Sequence, residues 1–119
     1  MKLTLGQKQR IFTRLTAKLI EYAYQNDYEL SFGEAYRTPE QAAIYARQGK
    51  GILNSLHTKR LAIDLNLFKD GVYLTKSEDY EELGKFWESL SSKDYQCSWG
   101  GRFRRPDGNH FSIEHGGIK

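Results

Sequence analysis

The stretch Leu61-Ala62-Ile63-Asp64-Leu65-Asn66-Leu67-Phe68-Lys69-Asp70-Gly71-Val72-Tyr73-Leu74 decides the fold. From Leu61 to Phe68 the residues alternate, with Leu61, Ile63, Leu65 and Leu67 on one side and Ala62, Asp64, Asn66 and Phe68 on the other. Alternation of period two is the mark of a strand with one face on a core, and it turns Asp64 away from the aliphatic face. Asp70-Gly71 is a two-residue hairpin signal, so Val72-Tyr73-Leu74 should return antiparallel to the Asp64 strand.

Working outward, Ile11, Phe12, Leu15, Leu19, Tyr22 and Ala23 recur at helical spacing, which predicts an amphipathic helix over 6–26. Residues 29–37 read as a strand. Thr38-Pro39-Glu40-Gln41 supplies a cap, a proline at the first helical position and a capping-box glutamine, opening a helix to about Gln48 that Gly49 ends. Thr75-Lys76-Ser77-Glu78 is read as a second capping box, with Tyr80, Leu83, Gly84, Trp87 and Leu90 as the buried stripe of its helix. Gly100-Gly101 marks a tight turn after Trp99. A last strand over 109–115 sets His110, Ser112 and Glu114 on one face and Phe111, Ile113 and His115 on the other. Helices ordered around a hairpin-based sheet, with no βαβ alternation and no repeat, predict an α+β fold: a small antiparallel sheet with helices packed around it, one domain over 1–119.

With 119 residues, 39% hydrophobic and 28% charged, the chain can bury a core without disulfides or structural metal. No apolar run reaches the roughly 18 residues of a membrane span. The amino terminus has no apolar stretch or cleavage site of a secretory signal, so synthesis in the cytoplasm is expected. Cys97 is the single cysteine, which excludes an internal disulfide. A formal charge of +3 favours anionic partners without selecting among them.

Two segments carry the chemistry, Ser55-Leu-His57-Thr-Lys-Arg-Leu-Ala62-Ile-Asp64 and Asp107-Gly-Asn-His110-Phe-Ser. Catalytic zinc takes three nitrogen or oxygen ligands and keeps one position open, and His57, Asp64 and His110 supply that set. Extended chain would hold His57 more than ~20 Å from Asp64, so sharing a metal requires Thr58-Lys59-Arg60 to turn back. Asp107, three residues before His110, is close enough in a turn to act as a general base. The chain has no G-x-S-x-G or cysteine-nucleophile pattern.

The spacing Ser55-x-His57-x-x-x-x-Ala62-x-Asp64 resembles the S-x-H-x-x-G-x-A-x-D motif of the M15 metallopeptidases, a family of D-alanyl-D-alanine carboxypeptidases and dipeptidases and phage L-alanyl-D-glutamate endolysins. Trp99-Gly-Gly, then Asp107-Gly-Asn-His110-Phe111, is similar to the W-G-G…D-x-x-H-F ending of the endolysin-like branch. Tyr36-Arg37-Thr38-Pro39-Glu40-Gln41 resembles the family's Y-R-[ST]-x-x-x-Q segment.

The resemblance implies a Hedgehog/DD-peptidase-like fold with His57, Asp64 and His110 as zinc ligands and Asp107 as catalytic base. Ser55, two residues before His57, is placed to hydrogen-bond substrate or to hold a ligand, and Trp99 with Gly100-Gly101 either shapes one wall of the cleft at the substrate or plugs the core over the turn. The resemblance makes Arg37 a contact to a substrate carboxylate or the transition state. The activity it implies is zinc-dependent hydrolysis of an amide in the peptide moiety of bacterial peptidoglycan, by a phage or prophage endolysin-like enzyme. The expected partner is a stem peptide, with neither nucleic acid nor membrane, and the expected state a monomer. The motif's glycine is Arg60 here, inside the turn that must return the chain. Glu114, on the His110 face, is a rival base. An HNH-type metal nuclease and an inactive M15-like binding domain are the alternative functions.

Overall fold

The computed structural model describes residues 2–119. Helix α1, Leu5–Gln25, starts where Thr4 accepts a hydrogen bond from Gln7 N and Gln7 Oε1 accepts one from Thr4 N. This capping box satisfies two of the donors a helix start leaves free. Its buried face is Phe12, Leu15, Thr16, Leu19 and Ala23. Strand β1, Tyr28–Phe32, follows, then helix α2, Pro39–Arg47, capped by Thr38, with Gly49 at φ 71° just beyond its end.

Strand β2, Ala62–Lys69, organises the sheet. Asp70 and Gly71, at φ 51° and 77°, make the tight turn into β3, Val72–Leu74; positive φ at both positions is the twist-matched hairpin turn. A 3-10 turn over Ser77–Tyr80 leads into α3, Glu81–Ser89. Strands β4, Cys97–Trp99, and β5, His110–Ile113, complete an antiparallel sheet of order β1-β2-β5-β4, with β3 also paired to β2. The fold is α+β as the hairpin and helix pattern predicted.

Element ends differ from the sequence reading, the last strand being His110–Ile113 rather than 109–115. Strand β1 stops at Phe32 because Gly33 N donates to Asp64 O while Asp64 N donates to Glu34 O, so two residues oppose one. Such a bulge bends a strand and re-aims its side chains, and the chain then leaves the sheet. The third helix is not capped by Thr75: Asp79 Oδ2 accepts from Lys76 N, and a 3-10 turn precedes the α-helix. Gly100-Gly101 belongs to a 3-10 turn, and its glycines serve close approach. A Cβ on Gly101, like one on Gly84, would collide with the Trp99 ring.

The core lies between α1, α3 and the aliphatic face of the sheet, where Leu19, Leu65, Leu67, Leu83, Trp87, Phe111 and Ile113 are fully buried. Burying each such side chain contributes about 1.5–3 kcal/mol. The opposite face of β2 and β5 carries Asp64 and His110.

Candidate metal centre and its cleft

Asp64 and His110 are direct cross-strand partners in the β2–β5 register. The Asp64 backbone groups bond toward Gly33 and Glu34, so on the β5 side this is a non-hydrogen-bonded pair, the kind whose side chains stand closer. His57 reaches them from a 3-10 turn over Leu56–Lys59, which Ser55 caps by accepting from His57 N at 3.2 Å. Arg60 ends that turn in the left-handed conformation, φ 56° and ψ 37°. The chain therefore does turn back where it must. A non-glycine residue there costs about 1–2 kcal/mol, and the guanidinium set 4.1 Å over the Tyr36 ring offsets about 0.5–1 kcal/mol of it.

His57 Nδ1 lies 2.9 Å from Ala35 O. A carbonyl only accepts, so Nδ1 carries the proton and the Nε2 lone pair faces the site. Nε2 stands 3.3 Å from Asp64 Oδ1, and His110 Nδ1 stands 3.5 Å from the same oxygen. Two ligands about 2.0–2.2 Å from one tetrahedral zinc lie roughly 3.3–3.5 Å apart. The three donors are mutually within 4.8 Å, and Asp64 Oδ1 is buried with no protein hydrogen-bond donor. The donor set fits a divalent ion.

Burial opposes ionisation of Asp64, but the His110 and His57 imidazoles outweigh it and hold its carboxyl at about 2. Burial likewise opposes the His57 imidazolium, and contact with Asp64, aided by Ala35 O, raises its pKa in spite of that and of the Arg37 charge. The metal-free protein thus gains stability from His57 below pH ~6.5 and loses it as pH rises through the raised folded value. It gains from Asp64 above pH ~3.9 and loses this as pH falls toward 2. Thermal melts in chelator are expected to peak between about pH 4 and 6.5, and added metal should stabilise most above that window, where His57 is neutral. A flat metal-free profile from pH 3 to 8 would contradict the ion-pair account.

Arg37, Ser55, His57, Asp64, Asp107 and His110 all line one open cleft of about 500 Å³. Arg37 N donates to His57 O, and its Nε and Nη2 both donate to Glu34 Oε1. Half of the guanidinium fork is therefore already used, leaving the Nη1 end for a ligand. Glu34, which sequence reasoning passed over, also stands 3.7 Å from His57 Nδ1; an acid three residues before Arg37 was the available signal. Phe103, also missed, packs its ring 5.3 Å from that of His110.

Asp107 is exposed at the cleft mouth. Its pKa is raised, by loss of solvation within the cleft and by the Asp64 charge, against the lowering pull of His110, His57 and Arg37. Its loop is held by Asp107 N donating to Gly100 O and His110 N donating to Asp107 O. A Cβ on Gly100 would collide with Asp107 O and crowd His110 Cβ. Gly100→Ala should therefore destabilise the protein by about 1–3 kcal/mol and weaken metal binding; an unchanged melt and metal affinity would show that the loop can relax.

Two expected site residues sit elsewhere. Trp99 does not line the cleft: its indole is buried between Gly84 and Gly101, and Nε1 donates to Gly108 O at 2.7 Å. The substrate contact expected of it gives way to bracing of the Asp107–His110 loop, because two glycines let the ring sink into the core. Glu114 lies beyond the end of β5, its backbone bonded to Gln96 O and Lys8 Nζ, and it does not line the cleft. Among Arg102, Arg104 and Arg105, in the segment before Asp107, Arg105 lines the cleft while Arg102 pairs with Glu88.

Two histidines and an aspartate converging in an open cleft of an α+β domain form the donor set of a candidate metallohydrolase. The M15 peptidase model described as D-alanyl-D-alanine carboxypeptidase matches residues 48–113, more than half of the chain, and the chain belongs to the M15 peptidase family. The crystal structure of the Serratia marcescens L-Ala D-Glu endopeptidase ChiX has a similar fold, with a TM-score of 0.73 at 19% identity over 96% of this chain and 89% of that one. No curated protein matches the chain at a level that would establish kinship.

Proposed function

We propose that the protein is a zinc peptidase that hydrolyses an amide bond in the peptide part of bacterial peptidoglycan. The observation that carries this reading is the convergence of His57 Nε2, Asp64 Oδ1 and His110 Nδ1 in a cleft whose walls also present Asp107 and Arg37. The substrate class is supported by the family description and by the activity named for the Serratia protein.

His57, Asp64 and His110 would hold the ion. When bound, it supplies a Lewis acid for the scissile carbonyl and lowers the pKa of water there toward ~7. The Asp107 carboxylate takes the proton of the attacking water and delivers it to the leaving amine nitrogen. Its raised pKa suits both halves of that transfer. Arg37 presents its remaining donor to a substrate carboxylate or the developing oxyanion. Ser55 acts on the turn that aims His57, through its bond to His57 N.

An endolysin-like role for a phage or prophage, acting on the wall as a monomer after synthesis in the cytoplasm, is the biological setting we favour. The family description keeps D-alanyl-D-alanine carboxypeptidase action as the second reading. Digestion of purified peptidoglycan with mass analysis of the fragments separates them: endopeptidase action splits the stem peptide internally, carboxypeptidase action removes a terminal D-alanine. Intact stem peptides from metal-loaded protein would end the peptidase reading and leave a binding domain.

A further inference from the structure

Among the described residues, four buried side-chain atoms have no protein hydrogen-bond partner: Asp64 Oδ1, His110 Nε2, Ser112 Oγ and Ser98 Oγ. They are not scattered. Asp64 opposes His110 across β2–β5, Ser112 follows His110 by two residues on β5, and Ser98 opposes Ser112 across β4–β5. Cross-strand partners and residues two apart share a face. All four atoms therefore form one row on the sheet face that carries the candidate metal centre.

Asp64 Oδ1 is accounted for by the ion it would ligate; the other three are not. His110, Ser112 and Ser98 are 6%, 0% and 7% exposed, so bulk solvent does not satisfy them. The two histidines also differ. His57 has its outer nitrogen on Ala35 O, which fixes its tautomer, whereas the outer nitrogen of His110 meets no protein acceptor. Histidine ligands almost always donate their second N–H to an acceptor that fixes the ring.

We propose that Ser112, with Ser98, is the positioning partner of His110: a buried water shared by the two hydroxyls accepts a hydrogen bond from His110 Nε2–H and so keeps the Nδ1 lone pair toward the ion. A buried water typically takes about three hydrogen bonds from otherwise unsatisfied groups, and three such groups are present here. Ala62, the other cross-strand partner of Ser112, offers its hydroxyl no polar side-chain group. The inference rests on the metal-centre reading, because without the ion Asp64 Oδ1, 3.5 Å from His110 Nδ1, competes for the imidazole proton.

The test uses the full chain and three variants, Ser112→Val, Ser112→Thr and Ser98→Ala, with two measurements. Zinc affinity is read by competition against a chromophoric chelator, and the His110 Nε2–H by its proton shift and its exchange with solvent in NMR spectra of the zinc-loaded protein. In the wild type the Nε2–H should be observable and slow to exchange. Ser112→Val should speed that exchange and weaken zinc binding about tenfold; Ser112→Thr should restore both, and Ser98→Ala should fall between. Wild-type exchange and affinity in Ser112→Val overturn the proposal, as does an equal loss in Ser112→Thr, which would assign the effect to volume. Should Ser112→Val not fold, Ser112→Ala takes its place with the same expected and overturning results. Failure of the wild type to bind zinc overturns the metal centre itself, whereas normal wild-type binding with an unaffected Ser112→Val overturns the Ser112 contact alone.

Discussion

Replacing Asp107 by alanine is expected to lower kcat by about 10²–10⁴-fold while leaving bound zinc unchanged. Asp107 lines the cleft beside the three donors but is not among the converging set. Its loss therefore removes proton transfer and leaves the ligands in place. Asp107→Asn should lose as much, since an amide fills the same space but cannot accept the proton, and the acid limb of the pH–rate profile assigned to this carboxyl should disappear. The measurement is steady-state hydrolysis of a defined stem peptide alongside metal analysis. Glu114→Gln is the control: Glu114 does not line the cleft, so its activity should stay within about twofold of the wild type, a change under 1 kcal/mol. If Glu114→Gln is inactive and Asp107→Ala active, the base role moves to Glu114.

The second large effect is expected from Asp64→Asn, which should abolish stoichiometric zinc binding and reduce hydrolysis to background. Asp64 is the only anionic member of the donor set, and one of its oxygens faces both imidazoles, at 3.3 and 3.5 Å. A neutral amide removes the charge that attracts the ion. The loss should exceed the ~10–100-fold typical of an outer-shell partner. Chelation of the wild type should reproduce the inactivity and excess zinc reverse it. An independent readout is the His57 ionisation in metal-free protein: because contact with Asp64 raises it, Asp64→Asn should lower the His57 pKa in a proton titration by NMR. Full zinc occupancy in Asp64→Asn would remove Asp64 from the ligand set.

The two effects separate the site into a part that holds the ion and a part that moves the proton. Both parts converge on β5 and the loop before it, so variants that shift this loop should affect both. Gly100 and Trp99 are the residues that seat it, the first by lacking a Cβ against Asp107 O, the second through its bond to Gly108 O.

Much of this was legible in the chain. The period-two run through Asp64 predicted a strand with its aliphatic side on the core, and Leu65 and Leu67 are fully buried. Asp70-Gly71 predicted the hairpin, because two successive positive-φ residues have few other uses. The requirement that Thr58-Lys59-Arg60 turn back follows from chain reach alone, and the 3-10 turn meets it. Strand and helix ends were less legible: β1 is cut short by a bulge whose partner is 30 residues away, and local propensity carries no record of that partner.

Side-chain destinations divide in the same way. Residue types and spacing nominated His57, Asp64, His110 and Asp107, since a metal-ligating or proton-carrying group must be one of few chemistries, and the family resemblance added Arg37. They could not show that Trp99 faces the core, which depends on Gly84 of α3 meeting its ring. Nor could they show that Glu34 occupies half of the Arg37 fork, or that Ser98, Ser112 and His110 share one buried row.

By itself, the sequence determined the α+β class, the hairpin at the centre of the sheet and the identity of the chemical groups, because those follow from periodicity, turn chemistry and functional-group supply. Only the tertiary structure decided which groups meet. That is set by strand register and by the close approach of glycines to distant side chains, long-range terms that arise only when the chain packs against itself.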